Sequence, residues 1–235
     1  MDLDTPSNSN DFDAQLDSIK QSRGFLLPHQ RLFAIAAPRL FKASGEFYEA
    51  LALERRVLSR RNQKFVWVTM LLSIRERIPV HHLQHFQQEG ATDADVETAL
   101  RVAAFAAGAS QYEFLAAEWQ PQVPSYDAAA AYRGALTALL AERDVARGLV
   151  EVALAATQVL NGRFWAVAHH IREAYAHGVD EAALCEAMSL ASYPGNMAWF
   201  IKSCQIWLDL IAAGEVDASE PFRQWAADSR QNRVD

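Results

Sequence analysis

Cysteine is nearly absent: Cys185 and Cys204 are the only two in 235 residues. That is too few for a disulfide framework, and their separation excludes a CxxC redox pair. Clustered lysine and arginine are also missing, and the net charge is -7. Neutralising phosphates needs such clusters, so nucleic acid is not expected as a partner. The densest basic stretch, ERRVLSRRNQK at 54–64, reads as a helix end, a loop and a helix start. No apolar run reaches the roughly 18–20 residues that cross a bilayer. The opening MDLDTPSNSNDFD is acidic and polar, where a signal peptide begins basic and then turns apolar. A soluble cytoplasmic protein without membrane contact is therefore expected. No glycine-rich phosphate loop occurs, which argues against a nucleotide cofactor. Stretches that alternate apolar and polar residues are lacking, which argues against strands.

What is present favours helix. Hydrophobic residues make up 51% of the chain, enough for one large core or two small ones. They recur at steps of three and four in RLFAIAAPRLF, GEFYEALALERRVL, DVETALRVAAFAAG and DEAALCEAMSLASY. The chain also repeats itself. IPVHHLQHFQQEGATDA at 78–94 aligns without gaps to AVAHHIREAYAHGVDEA at 166–182, an offset of 88. His81 and His82 match His169 and His170, and Gly90 matches Gly178. Each half reads as a long helix, a short histidine-bearing helix that stops at glycine in a left-handed turn, and another long helix. Thr92 and Asp180 stand where that third helix needs an N-cap. The expected fold is all-α, with two tandem helical repeats packed about a pseudo-two-fold axis. Residues 1–20 read as a polar, partly disordered tail, 21–118 as the first repeat and 119–127 as a proline-containing linker. Residues 128–215 read as the second repeat and 216–235 as a C-terminal extension.

In the second repeat Glu151 is followed nineteen residues later by His170, then by Ala174 and Gly178. Gln63, His82, Phe86 and Gly90 hold those places in the first repeat. This spacing resembles the carboxymuconolactone decarboxylase family, which includes the AhpD-like proteins, over roughly residues 45–118 and 128–215. The resemblance implies an AhpD-like fold in each repeat and a catalytic Glu–His pair, here Glu151 and His170. Gln63 in place of Glu marks the first motif as degenerate. AhpD-like peroxidases carry CxxC before the histidine, but Arg75 and Ile78, and then Arg163 and Ala166, stand there. Without a thiolate nucleophile and a resolving thiol, peroxide reduction is disfavoured. The decarboxylase branch needs no thiol pair, metal or other cofactor. The family commonly builds hexamers of single-repeat subunits, so the resemblance implies a homotrimer of the duplicated chain, with a dimer as the next choice.

Individual residues sharpen this picture. Glu151 sits among apolar neighbours in GLVEVALAATQVL. It lies either on a polar stripe or in the interior, where burial would raise its pKa. His170 shares a helix face with Ala174 and His177. His169 points roughly a hundred degrees away, within reach of Glu173 at four residues. His177, near a helix C-terminus, is accounted for by the helix dipole. Arg163 is placed to clamp a substrate carboxylate through paired hydrogen bonds. Trp165, Tyr193 and Trp199 are candidates for an apolar wall around a small ring, and His82 is a further substrate-binding candidate. His81 and His85 have the spacing of two metal ligands, but no HExxH or ExxH supplies the others, and no metal is expected. With these residues in place, the resemblance implies a cofactor-free carboxy-lyase acting on a small carboxylated lactone or related activated acid. The alternatives are a non-catalytic binding or scaffold protein of the same fold, and a metal-dependent enzyme using the histidine pairs.

Overall fold

The computed structural model describes residues 9–23, 26–54, 56–75 and 80–228, and every regular element among them is helical. No helix among these residues is long and apolar enough to cross a membrane. The first eight residues of the expected tail and residues 229–235 of the expected extension lie outside the described residues.

The chain divides into two compact units, residues 1–54 and 55–235. The division falls inside the expected first repeat, not at 119–127. The first unit holds α1 (Ser9–Arg23), α2 (Pro28–Ala36), α3 (Pro38–Tyr48) and a π turn at Glu49–Leu53. From Ser9 onward the expected polar, partly disordered tail is helix. Leu16 and Ile19, three residues apart, give α1 a narrow apolar stripe, and it packs with Phe33, Ala34 and Phe41. Pro38 separates α2 from α3, because its ring cannot continue the preceding helix.

The second unit runs α4 (Arg60–Ser73), α5 (Val80–Gln88), α6 (Asp93–Ala107), α7 (Ala109–Phe114), a π turn (Leu115–Trp119) and α8 (Ala128–Leu140). It continues with α9 (Arg147–Leu160), α10 (Phe164–Ala176), α11 (Glu181–Leu190), α12 (Met197–Ala212) and α13 (Glu220–Ala227). α9 is its axis. Every residue from Val150 to Leu160 is buried, as a helix with apolar residues on all sides requires. Ala153, Ala155 and Ala156 expose nothing and let α4, α10 and α11 approach closely. α4 is buried in the same way from Gln63 to Leu71 and packs on α9. One core thus serves helices of both halves, which is why no division occurs at 119–127. Instead, Gln120 Oε1 accepts the Ala128 N–H at 3.1 Å and ties that stretch to the start of α8. The expected C-terminal extension forms α13, whose Phe222 and Trp225 rings pack on Trp207 of α12.

The local expectations of the repeat are met. Thr92 Oγ1 caps α6 through the Asp95 N–H, and Asp180 Oδ1 caps α11 through the Ala182 and Ala183 N–H groups. Gly90 and Gly178 have φ of 86° and 65°. Ser73 and Asn161, 88 residues apart, hydrogen-bond to each other where α4 and α9 end. Gly178 has open space around its Cα, so Gly178→Ala isolates the backbone cost. It should lower stability by about 1–2 kcal/mol in urea unfolding, the cost of a left-handed residue with a Cβ. An unchanged midpoint would contradict that assignment.

Candidate functional site

Three helices deliver one buried hydrogen-bonded chain. Glu151 of α9 exposes 0% of its surface, Tyr132 of α8 1% and His170 of α10 2%. Glu151 Oε2 lies 2.7 Å from His170 Nδ1, and His170 Nε2 lies 2.8 Å from the Tyr132 hydroxyl. Behind them Arg147, one turn before Glu151, donates from Nε to Glu151 Oε1 and from Nη1 to Thr137 Oγ1 of α8. The small residues Ala109 and Ala166 let the Tyr132 ring settle beside Phe105, Tyr112 and Trp165.

Burial pushes the Glu151 carboxyl up, as expected from its surroundings. The hydrogen bonds and charges of His170 and Arg147 pull harder in the other direction and hold it below the usual carboxylate range. The expectation of a raised value is therefore reversed, because His170 first and then Arg147, one turn before the carboxylate, both donate to it. With Glu151 ionised, Nδ1 of His170 carries the hydrogen, and in the singly protonated ring Nε2 accepts from Tyr132. Burial, with Glu151 nearby, raises the Tyr132 phenol, so it stays a hydroxyl donor.

Beside this chain opens a cleft of about 520 Å³, lined chiefly by Gln120, Arg133, Trp165, His169, Arg172 and Glu173. Trp165 and His169 are the links between the two: their ring centroids lie 5.4 and 6.4 Å from that of Tyr132. His169 is held down to about 4 by burial first and then by Arg172, His170 and Arg133. At neutral pH it is an uncharged imidazole. It does not pair with Glu173; that carboxylate instead stands 3.9 Å from both Arg133 and His177.

The structure thus brings Glu151, His170 and Trp165 together and leaves the other expected residues elsewhere. Arg163 is exposed at the N-terminus of α10 and does not line the cleft. Tyr193 is half-buried in the turn after α11, and Trp199 lies against Gly162. His82 is buried and stacked on Trp67, with centroids 4.8 Å apart, which gives it a packing role. Its companion Gln63 donates to Glu186, which also accepts the Val57 and Leu58 N–H groups. Tyr132, Arg147 and Arg133 were missed. Tyr132 had a signal, as the single aromatic in AAAAYRGALTALL, and Arg147 had another, four residues before Glu151.

Metal ligation through His81 and His85 finds no third ligand among the described residues. The one group of three able to offer ligand atoms there, within 4.8 Å of one another, is Glu151, Glu173 and His177. Arg147 already bonds Glu151 and Arg133 approaches Glu173, so two guanidiniums supply the positive charge a cation would bring. Burial pushes the half-buried Cys204 thiol up to about 11, and Cys185, exposed on α11, is also shifted upward by partial desolvation, which leaves neither as a ready thiolate. Comparison with models of known families, with curated proteins and with solved structures finds no match.

Proposed function

We propose that this chain is a cofactor-free acid–base enzyme of the carboxymuconolactone decarboxylase type, a tandem form that releases carbon dioxide from a small carboxylated lactone or related activated acid. The observation that carries it is the buried Glu151–His170–Tyr132 chain beside the cleft. The nineteen-residue Glu–His spacing and the second bond at Tyr132 support an acid–base role over simple packing. So does the ionised state of Glu151, which suits it to orient the imidazole and carry its charge when doubly protonated.

In the proposed reaction the substrate enters the cleft and lies along Trp165, beside Tyr132. The bond to the leaving carboxylate breaks, and its electrons pass to a carbonyl oxygen. Tyr132 donates its hydrogen bond to that oxyanion, while doubly protonated His170 donates from Nε2 to the phenol oxygen. Tyr132 then gives its proton to carbon and is refilled from Nε2, leaving neutral His170 on Glu151. One proton is consumed for each carbon dioxide released. The matched caps, glycine turns and Ser73–Asn161 bond favour two repeats about a two-fold axis, with the first repeat catalytically silent. The resemblance further suggests a cytoplasmic homotrimer.

Carbon dioxide release from a panel of carboxylated lactones and β-keto acids tests the reaction. Release in deuterated water that leaves one deuterium on the product carbon is the expected result. No release from any member would favour the second reading, a binding or scaffold protein. That reading draws on one observation: Tyr132 is almost fully buried behind Trp165.

A further inference from the structure

Four charged side chains line the cleft, and two of them are already hydrogen-bonded. Asp127 Oδ1 accepts the Ala130 N–H and caps α8. Arg172 grips Glu215 at 2.6 Å through Nε and Nη2. Glu173 stands 3.9 Å from both His177 and Arg133, beyond hydrogen-bonding distance. Arg133 differs. Its side chain is 40% exposed, and the approach to Glu173 is its closest charged contact, beyond hydrogen-bonding distance. Its guanidinium makes no hydrogen bond among the described residues, so a planar fork of donors lines the cleft with its hydrogen-bonding capacity unused. Around it stand an uncharged imidazole, His169, and an apolar body, Trp165.

We infer that the cleft is a binding site for a small carboxylate, with Arg133 as the clamp for a carboxylate that is not the one released and Trp165 as the wall against which the ring or unsaturated body lies. A carboxylate matches the guanidinium fork through two parallel bonds, which a surface cation paired to Glu173 at 3.9 Å does not exploit. Glu173 keeps His177 as a partner when Arg133 turns to the ligand. The volume, about 520 Å³, suits a single small ring with its substituents. Trp165 touches both His169 and Tyr132, so a body resting on it lies next to the hydroxyl end of the buried chain. The assignment moves the clamp from Arg163, which lies outside the cleft, to the residue after Tyr132. That this ligand is also the substrate rests on the acid–base reading above; that it binds does not.

Titration calorimetry with benzoate as the anionic probe and benzylamine as the cationic one tests the site on the intact chain. Benzoate should bind one per chain, and benzylamine should bind more weakly by about tenfold or more. Arg133→Gln should weaken benzoate by about tenfold or more, the loss expected of a charge-assisted pair. Arg133→Lys should recover part of that, and Arg163→Gln should change it less than about twofold. Tyr132→Phe should leave benzoate affinity within about twofold, which separates binding from turnover. Saturable benzoate binding without carbon dioxide release would sink the decarboxylase reading and keep the site. Absence of benzoate binding at millimolar concentration, preference for benzylamine, or indifference to Arg133→Gln would overturn the site itself.

Discussion

Glu151→Gln is expected to lower stability by about 3–5 kcal/mol and turnover by about a hundredfold or more. The stability loss follows from what the carboxylate meets. Arg147 Nε–H and His170 Nδ1–H both point at it in the interior, and both are donors. Glutamine offers one acceptor oxygen and one NH2, so one of the two donors would face another donor. Removing one partner of a buried ion pair leaves the other charge uncompensated, which typically costs about that much. The turnover loss follows from releasing the imidazole, since positioned acid–base groups contribute about 10²–10⁴-fold.

The pH dependence carries a sign that can be checked. The folded value of Glu151 lies below its unfolded value near 4.5, so its stabilisation is present above that value. It is lost as pH falls through the lower folded value. The difference between wild type and Glu151→Gln should therefore be largest at neutral pH and shrink below about 4.5. His169 adds a separate slope common to both proteins. Its folded value of about 4 lies below the unfolded 6.5, so the unfolded chain takes up the proton first. Stability of both should decline as pH falls from 6.5 towards 4. Urea midpoints across pH 7 to 3.5 measure both effects, and a difference that grows on acidification would refute the pairing.

Tyr132→Phe is expected to separate chemistry from packing. The ring keeps its place, stacked on Phe105 at 4.8 Å and touching Trp165, so little volume is lost. What disappears is the hydroxyl, which leaves Nε2 of His170 in the interior without its partner. That costs about 1–3 kcal/mol, the desolvation of an unsatisfied polar atom. If Tyr132 stabilises the developing oxyanion, kcat should fall by about 10²–10³ with KM nearly unchanged. A protein destabilised to the same degree with full kcat would show the tyrosine to be structural.

The parts of this arrangement legible in the sequence are the local ones. Thr92 and Asp180 cap their helices within three residues, and Gly90 and Gly178 set their own φ, so the repeat's punctuation could be read directly. Glu151 and His170 are nineteen residues apart on different helices, and only the resemblance suggested that they meet. Tyr132 joins His170 from thirty-eight residues away through the packing of α8, which no periodicity encodes. His169 was misread for a related reason. Its spacing suggested a pair with Glu173 along α10, but residues of the π turn and α8 line the same cleft and make His169 part of its wall. α1 was legible only in part, because its apolar stripe is thin and its composition polar. The missing division at 119–127 reflects α4 and α9 sharing one core, a contact across the two halves that neither half announces alone.

The most direct test of the account is nitrogen-15 NMR of the histidine side chains, with His170 assigned by its loss in His170→Ala. The account predicts an Nδ1–H of His170 that is held by Glu151 and protected from exchange with water. It predicts that this protection vanishes in Glu151→Gln and that the Nε2 signal alone shifts in Tyr132→Phe. A His170 ring whose two nitrogens average rapidly between tautomers in the wild type, unaffected by either substitution, would contradict the buried chain on which the proposed chemistry depends.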